Sequence, residues 1–215
     1  MKPLGFRRIV GILLILVLAL ACDLSAQQKA VYSIAGAKSK MEVHVYKDGF
    51  FKAFGHDHLI AAQEMSGQVQ FDAQTIENSK VSLKVEAKSL TVIDPGESQK
   101  DRQDVQATML SEKVLDVVQF PEIVFSSAGV SSAKKTATAA WELTLSGLLK
   151  LHGVEKKVSI PLRLRTEDHQ LEAHGEVSLL QTEYGITPVK VGGGAVKVKD
   201  KLRVSFTIVA ATTNP

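Results

Sequence analysis

Apolar and polar residues alternate with a period of two along most of the chain. The alternation is strict in residues 80–87, continues in 159–165 and returns in 201–208. Strands with one buried face and one hydrated face are typical of antiparallel sheets. Further strands are predicted at 30–34, 40–46, 50–58, 65–72, 122–127, 141–151, 170–179 and 186–191. So many strands must close into a barrel or stack as a sandwich, and the sequence therefore predicts an all-β domain.

Two segments depart from this alternation. Residues 98–118 have helical spacing, with Val105 and Met109 four positions apart on an apolar face. Ser98 and Asp101 resemble the start of a capping box. We therefore expect a short helical insert over about residues 98–118. It would either cover one end of a barrel or bury one apolar face of the helix against the sheet. Residues 131–140 are rich in small side chains and read as a loop or a weak strand end.

The first 26 residues predict a secretory signal. Three basic side chains precede an apolar run at residues 9–20, which is shorter than the roughly 20 apolar residues of a membrane-spanning helix. Cleavage before Cys22 would end the signal at residue 21 and leave a lipidated cysteine as a membrane tether. Cleavage near Ala26 would release a soluble protein. In either case, residues 27–215 form the single folded domain.

Composition narrows the classes of function. The segment 1–26 contains Lys2, Arg7, Arg8 and Asp23, which leaves 23 basic and 22 acidic side chains in the domain. A domain with this nearly neutral balance lacks the excess of basic residues that is typical of nucleic-acid-binding proteins. The single cysteine is Cys22, so the domain has no thiol for disulfides or cysteine catalysis. Catalytic sequence motifs are also missing, and we expect a protein that is not an enzyme.

The most informative short motif is Gly-His-Asp-His at residues 55–58. The dipeptide Asp48-Gly49 is a strong signal for a two-residue hairpin turn, which would pair Val43 with Phe54. In this register both histidines of the motif face inward with the apolar side chains, while the aspartate faces outward. A change of one residue in the turn would reverse the assignment.

Three roles for His56 and His58 remain open. They could form hydrogen bonds with the head group of a ligand, such as a quinone carbonyl or an alcohol. They could bind Zn²⁺ or Cu²⁺, although a closed zinc site needs about four ligands and a third histidine would have to come from elsewhere. They could also have a structural role and satisfy buried backbone groups.

Five stretches, in chain order, resemble the YceI-like family of polyisoprenoid-binding proteins of the bacterial periplasm. The strongest are Phe-Pro-Glu-Ile-Val-Phe-Ser-Ser at 120–127 and Gly-Leu-Leu-Lys-Leu-His-Gly-Val at 147–154. The others lie at 31–34, 181–186 and 196–200. The resemblance implies an antiparallel, eight-stranded, lipocalin-like barrel around an apolar tunnel that holds a long isoprenoid chain. It also implies a periplasmic location after secretion.

The predicted ligand is therefore an isoprenoid-type or quinone-type lipid. We expect the protein to sequester this lipid without catalysing a reaction and without another cofactor. A barrel of about eight strands has room for side chains or one slender ligand. The residues predicted to contact the lipid are Val43, Phe54, His56, His58, Val81, Leu83, Val85, Ile123, Phe125, Leu143, Leu145 and Phe206. Two alternatives remain: a periplasmic metal-binding or redox-partner protein that uses His56 and His58, and a passive module whose barrel is filled by its own side chains.

Overall fold

The computed structural model describes residues 29–48, 57–191 and 196–212. The predicted signal with Cys22, the residues Phe54 and His56, and the Asp48-Gly49 turn beyond Asp48 lie outside this part of the chain. The described strands are β1 (Ala30–Ile34), β2 (Lys40–Asp48), β3 (His58–Ala62), β4 (Met65–Phe71), β5 (Lys80–Glu86), β6 (Leu90–Val92), β7 (Glu122–Ala137), β8 (Ala140–Leu151), β9 (Val154–Glu167), β10 (Gln170–Leu180), β11 (Lys190–Val191) and β12 (Val196–Thr212). The helix α1 spans Gln99–Leu110.

The strands form a closed antiparallel barrel, which confirms the predicted all-β architecture. The order β1-β4-β5-β7-β8-β9-β10-β12 closes on itself because β1 also pairs with β12. Beyond the end of β1, the long strand β12 pairs with β2, and the sheet continues through β3 to β6. The pairs β1/β2, β4/β3 and β5/β6 thus act as three bent strands within an eight-stranded wall.

The three bends lie at matching heights. Short 3₁₀ turns at Gly36–Lys38 and Ala87–Ser89 interrupt the first and third strands. Two side-chain hydroxyls replace backbone hydrogen bonds that the strands lose at these turns. Ser39 Oγ accepts a hydrogen bond from Val209 N at 3.0 Å, and Ser89 Oγ accepts one from Glu64 N at 3.0 Å. The wall therefore changes direction without leaving these backbone donors unpaired.

The helix α1 covers the side of the wall where β6 and β7 separate. The side chain of Gln106 accepts from Val92 N at 2.8 Å and donates to Leu90 O at 2.7 Å. It thus makes the two bonds that a neighbouring strand would have made with β6. Ser98 caps the helix, as predicted, by accepting from Asp101 N at 3.1 Å. The helix ends at Leu110, so the insert is helical only in its first part.

One sequence-based register was wrong, and one open alternative is decided by the structure. β2 and β3 pair Val43 with Ile60 instead of Phe54, so the register predicted from a turn at Asp48-Gly49 does not hold. The partner moves from residue 54 to residue 60, which is an even shift, and the face that each residue presents is therefore preserved. Of the two alternatives for residues 131–140, a loop or a weak strand end, the structure shows the strand end, because β7 extends to Ala137 and pairs with β8 from Ala140.

Candidate functional site

A cavity of about 640 Å³ runs inside the barrel. Val, Leu and Ile side chains, mostly from the inward positions of the strands, form the larger part of its wall. The helical side closes it with Val105 and Met109, joined by Val114 and Leu115 from the segment after α1. The volume lies within the range of about 300–1,000 Å³ that is usual for sites of small ligands.

The structure brings the predicted contact residues together in this wall. All of those within the described chain line the cavity: Val43, His58, Val81, Leu83, Val85, Ile123, Phe125, Leu143, Leu145 and Phe206. Phe54 and His56 lie outside the described residues. Contact between these side chains and a lipid stays a prediction, while their inward orientation is a feature of the fold.

Two glycines at inward positions make room for the aromatic part of the wall. A Cβ at Gly175 would lie 2.5 Å from Cζ of Phe206, and one at Gly147 would lie 2.7 Å from the ring of Phe125. The two phenyl rings therefore rest against strand backbone where other positions carry a side chain. This arrangement keeps the rings out of the centre of the barrel, and the sequence analysis did not identify it.

One end of the cavity, the aromatic end, is filled by the rings of Tyr32, Phe71 and Trp141. Phe71 meets Trp141 edge to face at 5.7 Å between ring centroids, and Tyr32 meets Phe71 at 6.3 Å. The ammonium group of Lys135 lies 5.7 Å from the centre of the Trp141 ring. Because Phe71 and Trp141 are buried among aliphatic side chains, this end is a packed core.

The opposite end of the cavity, the polar end, is lined by Lys47, His58, Asp104, Thr108 and Lys197. The side chains of Asp104 and Lys197 are 67% and 45% exposed, so solvent reaches the cavity wall here. Lys197 pairs with Asp48 at 3.5 Å. Asp104 accepts a hydrogen bond from Lys100 at 2.7 Å, and this bond raises the pKa of Lys100.

His58 is held in the polar end by a buried carboxylate. Its Nδ1 lies 2.7 Å from Asp94 Oδ2, and the side chains are 21% and 5% exposed. The other oxygen of Asp94 accepts from the backbone N–H of Leu59. Arg102 of α1 donates to the backbone oxygen of Asp94 at 3.2 Å, which joins this turn to the helix. The sequence analysis missed Asp94, because only the tertiary fold brings it to His58.

A second network joins the start of β12 to the 3₁₀ turn Gln181–Tyr184. The hydroxyl of Thr182 donates to Asp200 at 2.7 Å and its backbone N–H at 2.9 Å. These bonds lower the pKa of the Asp200 carboxyl. Tyr184 is 1% exposed, and burial raises the pKa of its hydroxyl, with Glu183 adding to the effect.

The described residues give no further support to a metal centre. Among them, no group of three or more His, Cys, Asp or Glu side chains is placed to hold a metal ion. His44, which the sequence places near the motif, lies opposite Leu59 and is not among the residues of the cavity wall. In the same described ranges, no helix is long and apolar enough to cross a bilayer.

Comparison with known proteins assigns the fold to a family. The family model of the YceI-like domain matches residues 32–210, which is most of the chain. The chain belongs to the YceI-like family. The YceI-like match includes all strands from β2 to β11, the helix α1 and the whole described wall of the cavity. No curated protein matches the sequence at a significant level.

Solved structures support the YceI-like fold. The chain is similar to BcnA of Burkholderia cenocepacia, with a TM-score of 0.63, 17% identity, and coverage of 83% of this chain and 99% of that one. It is also similar to a polyisoprenoid-binding domain from Saccharophagus degradans, with a TM-score of 0.61, 12% identity, and coverage of 86% and 99%. The YceI protein of Campylobacter jejuni follows with a TM-score of 0.53, 11% identity, and coverage of 72% and 85%.

Proposed function

We propose that this protein binds a long, slender lipid of the isoprenoid or quinone type in its barrel cavity, and carries or shelters it without chemistry. The observation that supports this most is the cavity of about 640 Å³ with a largely apolar, mainly aliphatic wall. Membership of the YceI-like family and the similarity to a polyisoprenoid-binding domain agree with it.

The energetics of such a site favour a flexible hydrocarbon chain. Each CH₂ group that leaves water contributes about 0.8 kcal/mol. A chain of about twenty carbons would therefore contribute roughly 16 kcal/mol, against an association cost of about 4–15 kcal/mol. Because the wall offers few polar partners, most of the affinity would come from the length of the buried chain.

The location belongs to the same proposal. The segment 1–26 has the basic and apolar regions of a secretory signal, and Cys22 follows the small residue Ala21. We therefore place the protein in the periplasm, where it would take up lipid either in solution or tethered to a membrane through Cys22. Edman sequencing and mass measurement of the exported protein distinguish the two N-termini.

The first experiment is a native mass spectrum of untagged protein recovered from the periplasm of a bacterial host. We expect an added mass of several hundred daltons, and fragmentation would identify the lipid. An added mass near that of one transition-metal ion would instead favour the alternative of a metal protein. Bare polypeptide, after gentle preparation in detergent-free buffer, would contradict the proposal and favour the passive module.

A matched pair of variants tests whether the lipid lies in the cavity. Leu83→Trp places a large ring in the centre of the wall, and we expect it to reduce lipid recovery at least tenfold. Ser82→Trp adds the same ring at the neighbouring position on β5, which is exposed and lies outside the cavity wall. Its recovery should match that of the unmodified protein. Equal lipid recovery in both variants, with both folded, would contradict a site inside the barrel.

A further inference from the structure

The polar end contains one side chain, His58, whose orientation is fixed by a buried carboxylate. Asp94 is 4% exposed, and its carboxylate accepts from His58 and from the backbone of Leu59. Burying a carboxylate costs several kcal/mol unless it is paired and hydrogen-bonded. A histidine oriented at this cost, in the wall of a mainly aliphatic cavity, indicates a role towards the molecule that occupies the cavity.

The pairing determines which nitrogen of His58 is available. An ionised carboxylate only accepts hydrogen bonds, so Nδ1 of His58 must carry the proton that points at Asp94. In the neutral ring the other nitrogen, Nε2, then has a lone pair and acts as an acceptor. Nε2 has no hydrogen-bond partner among the described residues, and the ring lines the cavity.

Resting on the function proposed above, we infer that the ligand carries a hydroxyl head group, as in an isoprenoid alcohol or a quinol, which donates its hydrogen bond to Nε2 of His58. Asp94 is the positioning residue that holds the ring in the accepting form. A hydrocarbon, an ether or an oxidised quinone offers no proton to this nitrogen. The site therefore selects the hydroxyl form of a lipid from forms with the same apolar chain.

The other groups at the polar end do not favour an anionic head group instead. Lys47 and Lys197 line it together with Asp104, so both signs of charge are present. Lys197 already pairs with Asp48. Thr108, a hydroxyl of the wall, donates to the backbone oxygen of Asp104 at 2.9 Å. We therefore assign the head group to Nε2 of His58, the ring nitrogen that does not face Asp94.

The test compares geranylgeraniol with its methyl ether, which has the same chain but no donor. Both are titrated against delipidated protein that holds the neutral fluorescent probe N-phenyl-1-naphthylamine, and displacement gives the two affinities. We expect the alcohol to bind roughly three- to tenfold more tightly than the ether, as one net hydrogen bond allows.

The variant Asp94→Asn reverses the hydrogen-bond pattern with little change in shape. Its amide oxygen still accepts from Leu59, so its NH₂ group points at Nδ1 of His58 and makes Nε2 the nitrogen that carries hydrogen. A donor at Nε2 serves the oxygen of the alcohol and of the ether equally, and the preference for the alcohol should disappear. Asp168→Asn makes the same change at an exposed carboxyl in the turn between β9 and β10, outside the cavity wall, and should keep the preference.

The outcomes separate the inference from the function on which it rests. Equal affinity for alcohol and ether in the unmodified protein overturns the hydroxyl inference and leaves lipid binding in place. A preference that survives in Asp94→Asn, with the fold verified by circular dichroism, also overturns it. If neither compound displaces the probe, both the proposed function and the inference fail.

Discussion

The two ends of the barrel are lined by different kinds of side chain. The aromatic end contains Tyr32, Phe71 and Trp141 in edge-to-face contact, all packed into the main hydrophobic cluster. The polar end has no such cluster of aromatic rings among the described residues of its wall; α1 and the turn at Asp94 border it, and solvent reaches it. One end is thus built like the core of a globular domain, and the other like the rim of a binding site.

The difference indicates where stability and specificity reside. Aromatic packing gives large, non-directional stabilisation, which suits an end that has only to stay shut. A buried pair such as His58 and Asp94 stabilises little in net terms, but it fixes the direction of a hydrogen bond. Substitutions at the two ends should therefore separate folding from ligand choice.

The largest expected effect is on stability, at the aromatic end. Trp141→Ala removes a buried ring and should lower the free energy of unfolding by about 3–5 kcal/mol. Urea denaturation followed by circular dichroism measures the change. Thr108→Val at the polar end is the control and should shift the value by less than about 1 kcal/mol. A small effect of Trp141→Ala would mean that the aromatic end is not the stable part of the barrel.

A smaller effect is expected between the ends, where glycine leaves space for a ring. In Gly175→Ala the new Cβ would lie 2.5 Å from Phe206 Cζ, so the ring must move into the cavity. We expect lipid affinity to fall several-fold, with a loss of about 1–3 kcal/mol in stability from overpacking. Gly129→Ala is the matched control, because a Cβ there meets nothing within 4 Å. Unchanged affinity in Gly175→Ala would show that the ligand does not reach this level.

The smallest effect is a pH dependence at the hydrogen bonds between Thr182 and Asp200. The bonds from Thr182 lower the pKa of Asp200 in the folded protein, so the ionised carboxyl favours folding. This stabilisation is present above the unfolded pKa of about 3.9 and is lost as the pH falls through the lower folded value. Asp200→Asn should therefore flatten the acid side of the stability curve.

The measurement for Asp200 is urea denaturation at several pH values between neutrality and the acid transition. Thr182→Val removes the hydroxyl donor and should flatten the curve in part. A slope that is the same in all three proteins would assign the acid sensitivity to other carboxylates.

Features that depend on neighbouring residues could be predicted from the sequence, whereas features that depend on contacts between distant residues could not. The inward residues of β5, β8 and β12 obey the local period of two, so their places in the cavity wall could be read from the sequence. The register of β2 and β3 could not, because a local turn rule favoured Asp48-Gly49 while the pairing starts at His58. The inward face of His58 was correct only because the shift in register was even.

The bends in the three strands and the pairing of Asp94 with His58 could not be predicted from local sequence patterns. Ser39 contacts Val209 of the neighbouring strand β12, and His58 lies beside Asp94 because β6 pairs with β3. Each contact joins residues that are distant in sequence and have ordinary polar side chains. A single sequence gives no signal for such contacts, although the Asp94-Pro95-Gly96 tripeptide does mark the turn where the carboxylate sits.

The side chain of Gln106 affects how readily the protein can associate with other molecules. An uncovered strand edge is a template on which another chain can add a strand, and it is a common start of aggregation. By bonding to Leu90 and Val92, one amide group occupies the exposed edge of β6. The barrel can thus keep a gap in its wall beside the cavity and still present no free edge at β6 to a neighbouring molecule.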